Sequence, residues 1–123
     1  MNILVVDDSK TMRVIIAKML KELGNNIYEA GNGKEAIDFL KTNNVDLIMA
    51  DWNMPEMNGY DMLIAIKSDE RTKNIPVIMV TTESEVSNVQ KAIDSGANGF
   101  ITKPFKKETI QSKLQELTGA KNG

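Results

Sequence analysis

Neither cysteine nor histidine occurs among the 123 residues. The first absence removes disulfides, thiolate zinc sites and thiol nucleophiles; the second removes the commonest general base and a frequent transition-metal ligand. Ser-His-Asp and Cys-His catalysis are therefore excluded. A long apolar run is missing too. The longest stretch free of charge, Asn74 to Thr82, has nine residues, whereas a spanning helix needs about 20 apolar ones. The N-terminus, Met-Asn-Ile-Leu-Val-Val, meets Asp7 at once and shows no basic start or cleavage site of an export signal. A cytoplasmic chain without membrane insertion is expected. Positive charge is not in excess either: 15 Lys+Arg face 17 Asp+Glu, a net charge of -2. That balance does not supply the field that nucleic acid or anionic lipid requires.

What is present reads as one globular domain over residues 1–123, with 41% hydrophobic and 26% charged residues. The polar end, 119–123, is expected to fray. Five apolar runs, Ile3 to Val6, Ile27 to Ala30, Val45 to Ala50, Val77 to Val80 and Gly99 to Ile101, are too short for helices and β-branched enough for strands. Between them run helical stripes: Met12, Ile15, Ile16, Met19 and Leu23; Ala36, Ile37 and Leu40; Leu63 and Ile66; Val86, Val89 and Ile93; Ile110, Leu114 and Leu117. Gly24 is placed as a helix C-cap, Asn32 with Glu35 as an Asx capping box, and Asn-Gly pairs at 32, 58 and 98 mark joints. Strict strand-helix alternation calls for a parallel sheet covered on both faces, a (βα)5 doubly wound α/β fold.

In such a sheet every strand ends on one edge, and ligands bind beyond it. Asp7 and Asp8 follow the first run, Asp51 the third, Thr81 and Thr82 the fourth, and the fifth continues through Thr102 to Lys103-Pro104. Any one of these could be a cap or turn former. As a set they converge. Paired carboxylates near 4 Å repel by about 4 kcal/mol at an effective dielectric of about 20, so a positive partner is expected. A hard divalent cation, Mg²⁺, takes oxygen ligands and keeps positions for phosphate oxygens, and Lys103 adds an ammonium. An ionised Asp needs no general base to act as a nucleophile, so this site could form an aspartyl phosphate without histidine. Gly33-Lys34 is not a phosphate loop, because Tyr28 stands where its first glycine belongs and Glu35 where Ser or Thr belongs.

Four blocks, Val-Val-Asp-Asp-Ser, Ala-Asp-Trp-Asn-Met-Pro-Glu-Met-Asn-Gly, Val-Thr-Thr-Glu and Thr-Lys-Pro-Phe, resemble in order and spacing the receiver domains of two-component signalling. Within that family the chain is most similar to the single-domain chemotaxis response regulators. The resemblance implies a flavodoxin-like strand order 2-1-3-4-5. It also implies Asp51 as phosphoacceptor and Mg²⁺ held by Asp7, Asp8, Asp51 and the Asn53 backbone carbonyl. Lys103 would bind a phosphoryl oxygen, Thr81 and Phe100 would be the coupled switch pair, and Lys103-Pro104 would be a cis peptide. Asn53 and Glu83 would tune phosphoryl lifetime. Phe100 lacks the hydroxyl of the tyrosine often found there, so no partner contact through that oxygen is implied. The implied partners are a separate sensor histidine kinase, the flagellar motor switch and a dedicated phosphatase, with the chain itself a monomer. The implied activity is that of a switch, catalysing only its own Mg-dependent phosphorylation and autodephosphorylation.

Other readings are a phosphorelay intermediate, a receiver from a larger regulator, a flavodoxin-type electron carrier or a metal-dependent phosphatase. Asp7 and Asp8 argue against the electron carrier, since they stand where a flavin phosphate would need a neutral cradle. Nothing in the motifs marks a substrate pocket for a phosphatase.

Overall fold

Successive side chains of a strand point to opposite faces, and in the first, third and fourth apolar runs both sets are apolar. The computed structural model describes residues 1–52, 54, 57–82 and 89–118, residue 118 by its backbone alone. The elements run β1 (Asn2–Val6), α1 (Lys10–Glu22), β2 (Asn26–Ala30), α2 (Gly33–Leu40), β3 (Leu47–Asp51), α3 (Gly59–Ser68), β4 (Val77–Thr82), α4 (Val89–Asp94), β5 (Gly99–Lys103) and α5 (Lys107–Thr118). All four strand pairings are parallel, and the order is β2-β1-β3-β4-β5. This is the doubly wound architecture expected from the alternation.

Two apolar layers sandwich the sheet. Leu4, Val6, Ile48, Ala50 and Met79 face Met62, Leu63 and Ile66 of α3, with Ala36 and Leu40 of α2 and Ala92 of α4. Their alternate neighbours Ile3, Val5, Leu47, Met49 and Ile78 face Ile16 and Leu20 of α1 and Ile110 and Leu114 of α5. Each fully buried Val, Leu, Ile or Met among them contributes about 1.5–3 kcal/mol from burial. The edge strands β2 and β5 are the exceptions: each has one neighbour, β2 exposing Asn26, Tyr28 and Glu29 and β5 burying Ile101 alone. No described helix is long and apolar enough to cross a membrane.

Caps follow the expected chemistry. Ser9 Oγ accepts from Met12 N at 3.2 Å to start α1, and Asn58 Oδ1 accepts from Asp61 N at 2.8 Å to start α3. Asn32 Oδ1 accepts from Glu35 N at 2.9 Å, while Glu35 returns its carboxylate one residue earlier than in a standard box, to Gly31 N at 3.0 Å. Gly24 adopts a φ of 93° just past α1, which its missing Cβ permits.

Three expectations require correction. Val45 and Asp46 precede β3 rather than opening it, and the Asp46 carboxylate accepts from Asn2 N at 2.7 Å. Ile15 of α1 and Ile93 of α4 are 42% and 45% exposed; the buried positions beside them are Ala17 and Ala92. Asp51, Thr81 and Lys103 lie within strands, because pairing continues through Asp51 with Val80, Thr81 with Thr102 and Thr82 with Lys103. Val86 and residues 119–123 lie outside the described residues.

Candidate acidic site at the sheet edge

β1 and β3 are adjacent, so the acids that end them are brought side by side. Asp7 follows β1 and holds the ladder one step further by donating its backbone N–H to the Ala30 carbonyl at 3.1 Å. It is 1% exposed; Asp51 is 8% exposed, and Asp8 lies open to solvent. One carboxylate oxygen from each of the three lies within 4.8 Å of the others. β5 brings the counter-charge: Lys103 Nζ stands 3.4 Å from Asp51 Oδ1 and 3.5 Å from Asp7 Oδ2. Among the described residues one ammonium thus pairs with two of the three clustered acids.

The surroundings hold these groups in place. Asp7 Oδ1 accepts from Ser9 N at 2.8 Å, and Arg13 Nη1 donates to the Asp7 backbone carbonyl at 2.6 Å while its Nε reaches Glu29 Oε1 at 3.2 Å. After Asp51, Trp52 donates its N–H to the Val80 carbonyl at 3.0 Å and accepts from Gly59 N at 2.9 Å. A Cβ on Gly59 would collide with the Asp51 carbonyl oxygen and lie 2.9 Å from Trp52 Cα, so only glycine permits this approach.

Burial is the largest influence on the Asp51 carboxyl. It disfavours the charged form; the Lys103 ammonium offsets part of that, and the Asp7 and Asp8 charges add to the upward push. The outcome is a pKa raised from 3.8 to about 6. Asp7 Oδ2 is buried and accepts no hydrogen bond among the described residues. That oxygen, with the Lys103 ammonium 3.5 Å away, stands beside two further carboxylates, an all-oxygen donor set that fits a hard divalent cation such as Mg²⁺.

Of the residues singled out from sequence, Asp7, Asp8, Asp51 and Lys103 meet at this point. Thr81 is buried in neighbouring β4, its hydroxyl donating to the Thr82 carbonyl at 3.2 Å. Phe100 is half-buried against the layer beneath α2, α3 and α4. The Lys103-Pro104 peptide is cis. Asn53 and Glu83 lie outside the described residues. Sequence reasoning missed Arg13, Gly59 and Tyr60, whose ring centroid lies 5.7 Å from that of Trp52. The Asn-Gly pair at 58 was a signal for Gly59 but gave no hint of the close approach to Asp51.

A parallel five-stranded sheet with three acids and a lysine at its carboxyl edge defines a class, and residues 3–115 match the model of the response regulator receiver domain. The chain belongs to that family. It is 42% identical over 124 residues to Chemotaxis protein CheY of Pseudomonas aeruginosa, covering 100% of both chains. It is 43% identical over 118 residues to Chemotaxis protein CheY-3 of Vibrio cholerae, covering 95% of this chain and 91% of that one. Among solved structures, CheY4 of Vibrio cholerae aligns with a TM-score of 0.88 and 33% identity, over 94% of this chain and 97% of that chain. The receiver domain of the Pseudomonas aeruginosa sensor histidine kinase PA1611, solved with a magnesium ion coordinated in its active-site cleft, aligns with a TM-score of 0.88 and 27% identity. That alignment covers 97% of this chain and 98% of that chain. The protein is a CheY-like receiver of two-component signalling.

Proposed function

We propose that the chain is a phosphorylation switch in which Asp51 accepts a phosphoryl group from a separate histidine kinase. The observation that carries this is the pairing of Asp51 with the Lys103 ammonium at 3.4 Å, beside an acid whose buried oxygen accepts no hydrogen bond among the described residues. Asp51 Oδ attacks phosphorus as the bond to the donor breaks, and the donor leaves with the bonding electron pair. Because these 123 residues contain no histidine, a phosphohistidine donor lies outside them.

Asp7, Asp8, Asp51 and the Asn53 backbone carbonyl would hold Mg²⁺, which when bound supplies charge neutralisation for the phosphoryl oxygens. Lys103 exchanges its contact with Asp51 for one with a phosphoryl oxygen. The new group carries about two negative charges at neutral pH and offers acceptors to the Thr81 hydroxyl. Thr81 leaves its bond to the Thr82 carbonyl, and Phe100 moves into the space behind it. The surface formed by α4, β5 and α5 then changes, and a partner that prefers the changed surface stabilises the phosphorylated form by linkage. Asn53 and Glu83 set how long the phosphoryl group survives hydrolysis.

Chemotaxis relatives that match the chain from end to end favour the flagellar motor switch as that partner. Incubation with acetyl phosphate and Mg²⁺, followed by intact mass, tests the chemistry. One phosphoryl group per chain is expected, absent from Asp51→Asn; undiminished labelling of Asp51→Asn would overturn the assignment. Binding of the phosphorylated chain to a motor switch protein, set against transfer onward to a phosphotransfer histidine, tests the partner.

A further inference from the structure

Tyr60, in the first turn of α3, makes three contacts that none of the switch residues above uses. Its ring lies 5.7 Å from the Trp52 ring at a 40° tilt. Lys91 Nζ of α4 stands 4.3 Å above its ring centroid. Ser95, just past the end of α4, donates its hydroxyl to the Tyr60 hydroxyl at 3.2 Å. Ser95 N is itself tied into the helix through the Lys91 carbonyl at 3.1 Å. One half-buried side chain thus bridges α4 and the residue that directly follows Asp51.

The bridge is anchored at its other end. Trp52 is fixed by backbone bonds to Val80 and Gly59 on either side, and the Gly59 approach leaves no slack around the Asp51 carbonyl. Tyr60 follows Gly59 immediately, so a displacement of the Tyr60 ring acts on the same short backbone segment that carries the carboxylate. We infer that Tyr60 is a positioning residue that couples the placement of α4 to the Asp51-Trp52 segment, giving the site a second route to α4 beside that through Thr81 and Phe100. This deepens the proposed function and rests on it for the phosphorylation arm of the test alone.

The route predicts communication between residues that do not touch. Lys91→Gln removes the cation over the ring, and Ser95→Ala removes the hydroxyl partner; neither residue contacts Asp51 in any described interaction. The test follows Trp52 fluorescence in these variants, in Tyr60→Phe and Tyr60→Leu, and in Tyr60→Leu combined with each α4 change. Far-UV circular dichroism verifies folding. Tyr60→Phe keeps the ring and loses the hydroxyl alone, so it holds the test open should Tyr60→Leu fail to fold.

Without any ligand, acrylamide quenching of Trp52 should rise in Lys91→Gln and Ser95→Ala. On the Tyr60→Leu background the same changes should add nothing. During titration with acetyl phosphate and Mg²⁺, each α4 change should shift the half-maximal concentration by about 2–5-fold, the range of one exposed cation-ring contact or one hydrogen bond. Tyr60→Phe should match Ser95→Ala. Equal effects with and without Tyr60, or no change in Trp52 from either α4 variant, would overturn the coupling. Quenching results as expected in a wild-type chain that acetyl phosphate does not label would leave the coupling standing and overturn the phosphorylation switch instead.

Discussion

The two ends of the sheet handle charge in opposite ways. Near the starts of β4 and β5, Lys67 reaches in from α3 and donates to the carbonyls of Lys73 and Ile75, at 3.2 and 2.8 Å, and to Asn98 Oδ1 at 3.1 Å. Asn98 Oδ1 also accepts from Val77 N at 2.9 Å. Burial lowers the Lys67 pKa, yet every donor has an oxygen, and the ammonium clasps the segments that lead into two strands. At the other end three carboxylates cluster and, among the described residues, one ammonium pairs with two of them, while a buried oxygen of Asp7 has no hydrogen bond. A structural charge is solvated by the protein itself; the acidic edge is left for something else to complete. Folding pays for that incompleteness, as binding sites commonly do.

The contrast can be broken from either end. Gly59→Ala should have the largest effect, lowering stability by about 2–3 kcal/mol in urea unfolding, because the new Cβ meets backbone that carries Asp51 and Trp52. Lys67→Met should cost about 1–3 kcal/mol in the same assay, since it leaves the Ile75 carbonyl without its closest donor.

At the acidic edge the sign reverses. The folded pKa of Asp51 is raised to about 6, so its favourable contribution is complete below the unfolded value near 4 and is lost as pH rises through 6. At pH 7 Asp51→Asn should therefore be the more stable protein, by about 1–2 kcal/mol after allowance for solvent screening. Melting curves should converge towards pH 4. Saturating Mg²⁺ should raise the wild-type melting temperature and narrow the gap, through binding to the folded state alone. Lys41→Ala is the smallest case: its ion pair with Asp38 at 3.3 Å is solvent-exposed, and its loss should change stability by less than about 0.5 kcal/mol.

Much of this was legible from residue order. Ile3 to Val6 and Val77 to Val80 are strands because β-branched residues fill both faces of a buried parallel ladder. Asp7, Asp51, Thr81 and Lys103 are legible as one group because the topology sends all strand ends to one edge. Periodicity failed where alanine carries the buried stripe. Ala17 and Ala92 give little hydrophobic signal, and the neighbouring Ile15 and Ile93 were the stronger but misplaced markers. Strand ends extended further than local pattern suggested, since pairing of Thr82 with Lys103 depends on a register set between distant segments. Arg13, Gly59 and Tyr60 matter through their neighbours in space, Asp7, Asp51 and Trp52, and no spacing rule connects them.

The central claim is that the acidic edge is completed by a cation and then by a phosphoryl group on Asp51. Trp52, the next residue, is the chain's single tryptophan and reports on it directly. Titration of Trp52 fluorescence with Mg²⁺, and then with beryllofluoride as a phosphoryl mimic, should give two saturable changes in the wild-type chain, the second abolished in Asp51→Asn. A folded wild-type chain whose fluorescence answers neither addition would contradict the account, leaving the three acids without the partner their geometry calls for.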